Sequence, residues 1–250
     1  MTFDQIKDLI LKNPLVLTGK IFRKFIFFYK LYVKRDFFTV EISRWFRDKG
    51  DSTHRLNYTL KPESIVFDLG GYIGNFSSSI YEKFGCKVFL FEPHPKYYDI
   101  CAARFEENPN VSVFNYGLSN IDGNFSLTDS ADLSSFLEER KENNQEIICE
   151  LKNFISVVKD LEIKKIDLIK INIEGGEYPI LEYIIENDLV SFIDNYQIQF
   201  HNFVIDAIDK RNHIVQALSR THTRTWCYEF VWENWTKHEL IGNLNGSALN

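Results

Sequence analysis

Apolar positions along this chain fall into two regimes. From Ile65 onward, short unbroken apolar runs alternate with longer stretches whose apolar residues recur at helical spacing; ahead of Ile65 only helical spacing occurs. The short runs predict strands at Ile65–Leu69, Lys87–Phe91, Val111–Phe114, Ile166–Ile171 and Phe192–Phe200, with a late strand at Trp226–Trp232. The periodic stretches predict helices over Ile73–Phe84, Pro95–Glu107, Tyr178–Ile185 and Val204–Leu218. In the second of these, Tyr98, Cys101, Ala102 and Phe105 share a face, and Asn108-Pro109-Asn110 closes it. Apolar strands separated by helices of this length imply an α/β protein with a mostly parallel sheet covered on both sides.

Two regions depart from that rhythm. Residues 117–151 carry a short strand signal at Phe125–Thr128 after Asp122-Gly123, a polar stretch from Ala131 to Gln145, and an apolar return over Glu146–Leu151. Such an excursion beyond a parallel sheet is a candidate lid or acceptor loop. Residues 2–48 read as helical, with a stripe of Phe3, Ile6, Leu9 and Ile10 broken at Asn13-Pro14, and a short helix over Val40–Phe46. Between them, residues 20–35 are aromatic, basic and free of acids. That segment fits an anionic membrane surface, with rings in the headgroup layer and lysines outward, or a helix packed on the core or in a homodimer contact. The expected organisation is a helical cap over 1–55, a catalytic domain over 56–240 and a frayed tail over 241–250.

Composition narrows the class. An apolar fraction of 44% and a charged fraction of 26% fit a globular chain rather than a disordered one. A formal charge of −6 argues against a general nucleic-acid binder, which needs a field attracting phosphates. The four cysteines, Cys86, Cys101, Cys149 and Cys227, are widely spaced without a CxxC pair and read as buried thiols. Met1–Asn13 lacks the pattern of a signal peptide, and no uncharged run approaches the roughly 20 residues that span a bilayer, so the expected location is cytoplasmic.

Chemistry concentrates at the strand ends. The first strand stops at Asp68 and Leu69, Gly70 and Gly71 follow at once, and helical sequence begins near Ile73. That is a strand, a tight turn and a helix start with free backbone N–H groups. About twenty residues on, the second strand ends in Glu92, and a carboxylate there can accept both hydroxyl protons of a ribose. Asn172–Glu177 and Gln199–His201 close two later strands and converge on the same edge. A nicotinamide dinucleotide fits poorly, because Asp68 would repel its pyrophosphate and the spacing Gly70, Gly71, Gly74 is not GxGxxG. S-adenosylmethionine has a sulfonium, an amine and no phosphate, and suits the same turn.

Five segments in order resemble the FkbM family of S-adenosylmethionine-dependent methyltransferases: VFDLGGYIGNFS (66–77), VFLFEPHP (88–95), VSVFNYGLSNIDG (111–123), IDLIKINIEGGEYPIL (166–181) and QIQFH (197–201). The resemblance spans about residues 61–232. It implies a Rossmann-like class I methyltransferase sheet with a late antiparallel strand, and donor binding by Asp68, Gly70, Gly71, Tyr72, Asn75, Glu92 and Pro93. The adenine is then expected near Asn115, Gly117 and Leu118. The family typically carries Lys-Ile-Asp-x-Glu-Gly, whereas this chain has Asn172 at the Asp position.

Methyl transfer to an oxygen of a sugar, polyketide or similar small molecule follows from the resemblance. An alcohol needs a base within about 2.6–3.2 Å or one water away. Glu174 and His201 are the candidates, against loop-ordering and structural roles for each. Lys170 is expected to pair with an acid inside the sheet, and Glu177 to be a charge at a helix start. Ser134, Ser135, Asp129 and Asp132 either meet the acceptor or belong to a solvated loop. A divalent metal is disfavoured, since hard ions take several oxygens and Asn172, Glu174 and His201 make a sparse set. The competing readings are a nicotinamide oxidoreductase, a nucleic-acid methyltransferase using residues 20–35 as a basic path, and a non-catalytic binding or assembly protein.

Overall fold

The structure, a computed structural model, describes residues 24, 26–128 and 146–241. Two compact units divide the chain, Met1–Gly50 and Asp51–Asn250. The stripe near the N-terminus, the polar stretch with Asp129, Asp132, Ser134 and Ser135, and the tail from residue 242 lie outside the described residues, as does the start of the basic aromatic segment.

In the first unit, Tyr29–Lys34 is a π-helical stretch rather than part of a regular α-helix. Helix α1 (Phe37–Arg47) follows, longer than the stretch expected at Val40–Phe46. Asp36 starts it by accepting the Thr39 amide, which satisfies one orphan N–H of the first turn. Among the described residues no helix is long and apolar enough to cross a membrane.

The second unit is built on a seven-stranded sheet. Its early strands are β1 (Ile65–Leu69), β2 (Lys87–Phe91) and β3 (Val111–Phe114), with the expected bounds. The later ones are β7 (Leu168–Ile171), β8 (Asn195–Ile198), β9 (His222–Tyr228) and β10 (Trp232–Lys237), in the order β3-β2-β1-β7-β8-β10-β9. β1 pairs in parallel with both β2 and β7, β2 with β3, and β7 with β8, while β10 runs antiparallel to β8 and β9. This is the mostly parallel sheet with a late antiparallel strand that the family resemblance implies. Two expected strands contract: Ile166 is only an isolated bridge to Ile193, and Phe192–Phe200 pairs over Asn195–Ile198 alone. The late run at Trp226–Trp232 is corrected more sharply. It holds the end of β9, a turn and the first residue of β10, because Val231 folds back to bond the Tyr228 carbonyl.

Helices α3 (Asn75–Phe84), α4 (Pro95–Phe105), α6 (Glu177–Glu186) and α7 (Ala207–Leu218) connect the strands; α2 (Gly50–Thr53) is a single turn, and α5 (Phe154–Asp160) is new relative to the sequence reading. A three-stranded sheet of β4 (Gly117–Ser119), β5 (Gly123–Thr128) and β6 (Glu146–Asn153), in the order β4-β6-β5, flanks the undescribed 129–145 stretch. Alternation sorts the core onto two faces of the large sheet. Val66, Val88 and Leu90 join Phe76, Ile80, Cys101 and Phe105 on one face. On the other, Phe67 packs against Phe91 and Phe154, and Phe91 stacks on Phe114. Burial on both faces explains why these strands read as continuous apolar runs. All four cysteines are free thiols, three of them buried.

Candidate active site

Strand order reverses between β1 and β7, so their carboxyl ends diverge into a crevice where open α/β sheets bind ligands. Parallel register sets Asp68 beside Lys170 on the same face of the sheet. Lys170 Nζ lies 2.9 Å from Asp68 Oδ1 and donates to the Gly70 carbonyl at 2.7 Å. Ser77, at the start of α3, donates its hydroxyl to Asp68 Oδ2 at 2.6 Å. Asp68 is fully buried, so its carboxylate acts on the turn from below, through Lys170 and Ser77. Burial drives the Lys170 pKa below the ordinary lysine value despite the opposing pull of Asp68.

The turn above this pair is tightly determined. Gly70 has φ +76, and a Cβ there would run into the backbone oxygen of Asn172; one on Gly71 would run into Leu90. The amides of Gly70 and Gly71 both donate to the Phe91 carbonyl, at 2.9 and 3.3 Å, and Gly74 N donates to the Gly71 carbonyl at 2.8 Å. The Tyr72 amide donates to Glu92 Oε2 at 2.7 Å. Those four N–H groups are spent within the protein. A pyrophosphate requires them free, whereas a phosphate-less donor does not, so these residues fit S-adenosylmethionine better than a dinucleotide.

Glu92, buried at the tip of β2, accepts a second backbone bond from His94 N at 2.9 Å. Each carboxylate oxygen therefore has one lone pair engaged and another left to accept a hydroxyl proton. Burial raises its pKa above the ordinary glutamate value of 4.5, against the lowering by the two amides and by Lys170. Pro93 lies 3.6 Å from the Cβ position of Gly117, which brings the β2 tip against the start of β4. Leu118 is buried in β4 while Asn115 is exposed after β3. Tyr72 is exposed and packs its ring on Tyr97, with centroids 4.5 Å apart. Asn75 accepts from Arg104 Nη1 at 2.7 Å, so its side chain is tied to α4.

Beyond β7 the loop carries Asn172, Ile173, Glu174, Gly175 and Gly176 into α6. Asn172 Oδ1 is buried without a hydrogen-bond partner among the described residues. Glu174 takes φ +51 and Gly175 φ +98, a reversal that turns the chain sharply into the helix. Glu177, expected as a charge at a helix start, does open α6 and is fully buried there. Its Oε2 accepts Gly175 N at 2.7 Å, and its Oε1 accepts His201 N at 2.8 Å. The same Oε1 lies 3.0 Å from His201 Nδ1. Tyr178 completes the clamp by donating its hydroxyl to the His201 carbonyl at 2.8 Å.

His201 thus stands after β8 between two carboxylates. Its Nε2 lies 3.4 Å from Glu174 Oε2, where the Glu174 side chain is 45% exposed, the His201 side chain 11% and that of Glu177 0%. Burial pulls the His201 pKa down, and the hydrogen bond and charge of Glu177 with the charge of Glu174 outweigh it, for a net rise above 6.5. Both base candidates are therefore adjacent. The residue missed in the sequence was Glu177, for which the only local signal was a carboxylate opening an otherwise apolar helix. Among the described residues no group of three or more His, Cys, Asp or Glu side chains is gathered as a metal ion would need.

A model described as the methyltransferase FkbM domain matches residues 68–223, from the buried aspartate of β1 into β9. No curated protein matches the sequence. Among solved structures, the chain is similar to methyltransferase FkbM from Methylobacillus flagellatus KT, at 12% identity and TM-score 0.46, over 72% of this chain and 45% of that one. It is also similar to an rRNA methylase from Streptococcus thermophilus, at 14% identity and TM-score 0.45, over 73% of this chain and 92% of that one. TrmK from M. capricolum, solved with S-adenosyl-homocysteine, is 16% identical with TM-score 0.40, over 74% of this chain and 69% of that one. The chain spans just under half the length of the Methylobacillus protein.

Proposed function

Because this chain belongs to the FkbM family of S-adenosylmethionine-dependent methyltransferases, we propose that it methylates a hydroxyl oxygen of a small molecule or glycan precursor, with a surface-polysaccharide sugar as the favoured acceptor. The observation that carries the oxygen reading is the His201 ring, with Nδ1 engaged by Glu177 and Nε2 turned to the more exposed Glu174 side. A nitrogen acceptor can attack with its own lone pair and lose the proton later to water. An alcohol is a poor nucleophile until a base takes its proton, which is the task a neutral imidazole performs near neutral pH.

The methyl donor supplies an activated carbon on a positive sulfur. What remains for the protein is alignment and proton removal. Glu92 would hold the ribose hydroxyls, and the β3–β4 connection with Asn115, Gly117 and Leu118 would border the adenine. Gly70, Gly71, Tyr72, Asn75 and Pro93 would shape the donor crevice, with Asp68 ordering the turn through Lys170. His201, or Glu174 beside it, would accept the hydroxyl proton as the new O–CH3 bond forms and the sulfur takes back the C–S pair.

Incubation with labelled methyl donor and a panel of nucleotide-linked sugars, surface-glycan precursors and peptides tests the acceptor. Label in an O-methyl group of a sugar is the expected result. Transfer to nitrogen alone overturns the oxygen assignment.

Within this proposal, the exposed residues of the N-terminal unit favour contact with an anionic membrane surface. Phe28, Tyr29, Tyr32 and Val33 are exposed, and Lys30, Lys34 and Arg35 lie among them without an acid from residue 24 to 35. Flotation with phosphatidylserine-containing vesicles but not with phosphatidylcholine vesicles is the expected outcome; equal or absent flotation removes this contact.

A further inference from the structure

We infer that Glu177 is a positioning residue for the base: it fixes the His201 ring with a proton on Nδ1 and leaves Nε2 as the proton-accepting atom. The inference rests on the reading of His201 as the base and goes beyond it by assigning the group that makes it one.

Three contacts carry it. A carboxylate only accepts hydrogen bonds, so the ring nitrogen 3.0 Å from Glu177 Oε1 must be the donor. A neutral imidazole has one N–H, and placing it on Nδ1 leaves the lone pair on Nε2. The same Oε1 accepts His201 N at 2.8 Å, so ring and backbone are referred to one atom. Glu177 Oε2 meanwhile accepts Gly175 N at 2.7 Å. One buried carboxylate therefore spans the β7 loop that carries Glu174 and the β8 loop that carries His201. It sets the two base candidates in one geometry.

Burial makes the arrangement rigid. Glu177 is fully buried in the first turn of α6, where the helix N-terminus favours negative charge. Tyr178, the next residue, holds the His201 carbonyl. Few groups therefore face the imidazole: Glu177 on the Nδ1 side, Glu174 on the Nε2 side, and the ring of Phe203 with centroids 5.3 Å apart. When Nε2 takes the acceptor's proton, the imidazolium sits between two carboxylates, of which Glu177 is the desolvated and hydrogen-bonded one. In this step the O–H bond breaks, N–H forms on Nε2, O–CH3 forms, and the sulfur leaves as a neutral thioether with the C–S electron pair. The histidine proton is later lost to solvent on the Glu174 side.

The wild-type protein tests this directly, without a variant that might not fold. Imidazole 15N shifts of the 15N-histidine-labelled chain, saturated with S-adenosylhomocysteine and assigned with H201Q, report the tautomer of His201. Protonated Nδ1 and bare Nε2 above the titration midpoint are expected; the opposite tautomer overturns the inference. In E177Q the His201 midpoint should fall by about one unit, the typical reach of a close opposite charge, and E177D should restore part of it. An unchanged midpoint in folded, product-binding E177Q also overturns it. A labelled-methyl assay with H201Q on the acceptor found in the panel separates the two readings. Full turnover by H201Q removes the base and Glu177's role with it. A dead H201Q combined with the wrong tautomer removes only the role of Glu177.

Discussion

Lys170 reaches Asp68 across the β1–β7 seam and fastens the glycine turn from beneath. Its Nζ is 2.9 Å from Asp68 Oδ1, and it bonds the Gly70 carbonyl at 2.7 Å while both side chains are buried. Removing one partner of such a pair strands a charge in the core. K170M should therefore cost about 3–5 kcal/mol, with much of that recovered in the D68N/K170M double variant. Urea denaturation of the three proteins checks this. A double variant no more stable than K170M would show that the pair is not the anchor.

Glu92 is predicted to make donor affinity depend on pH. The ionised form accepts ribose hydroxyls and burial raises its pKa above 4.5, so binding should weaken as pH falls through that raised value. E92Q should lose roughly 10- to 100-fold in affinity for S-adenosylhomocysteine, about 1.5–3 kcal/mol for bonds to a charged group, and most of this pH dependence. Calorimetric titration across mildly acidic pH decides; equal affinity of E92Q and wild type refutes it.

For the base, H201Q should lower kcat by roughly 100-fold or more while leaving donor affinity within a few fold. E174Q should have the smaller effect, since its carboxylate is the more exposed one. The wild-type rate should rise with pH through a midpoint above 6.5, because only unprotonated His201 accepts a proton and its pKa is raised. Unchanged turnover in both variants removes them as bases.

The same shift has a consequence for stability. His201 has a folded pKa above its ordinary 6.5, so its favourable ion pairing is fully present below pH 6.5 and is lost as pH rises through the folded value. The stability difference between wild type and H201Q should shrink over that interval. A difference that is flat with pH counts against the pairing with Glu177 and Glu174.

G70A should be strongly destabilising, because the residue needs φ +76 and its Cβ has no room against the Asn172 backbone. The expected loss is about 1–3 kcal/mol, accompanied by weaker product binding. A thermal melt with and without S-adenosylhomocysteine measures both. G70A with wild-type stability would show that the turn relaxes.

Much of this molecule is local enough to read from residues alone. β1 and β2 are short apolar runs buried on both faces, and β3 is a shorter one at the sheet edge, so composition defines their ends, and the glycine turn and Glu92 follow from their positions after the first two. The β9–β10 hairpin was hidden because Phe230 and Val231 are apolar turn residues, and Glu229 is the single charged residue between Trp226 and Trp232. In the small sheet, β5 contains the strand signal read at Phe125–Thr128, while its pairing with β6, and that of β4, were hidden for another reason. β4 is only three residues long, β6 is mixed and partly exposed, and pairing partners distant in the chain stabilise them.

What the residues determined by themselves was the order of the principal strands and helices, the family, and the set of strand tips where chemistry gathers, since periodicity and turn chemistry act over a few neighbours. Folding in three dimensions alone decided the partners: that Asp68 faces Lys170, that Glu177 turns inward, and that it meets His201 from 24 residues away. A carboxylate at a helix start looks the same whether water or an imidazole receives it. Only the packing of α6 against the β8 tip removes the water and makes the difference.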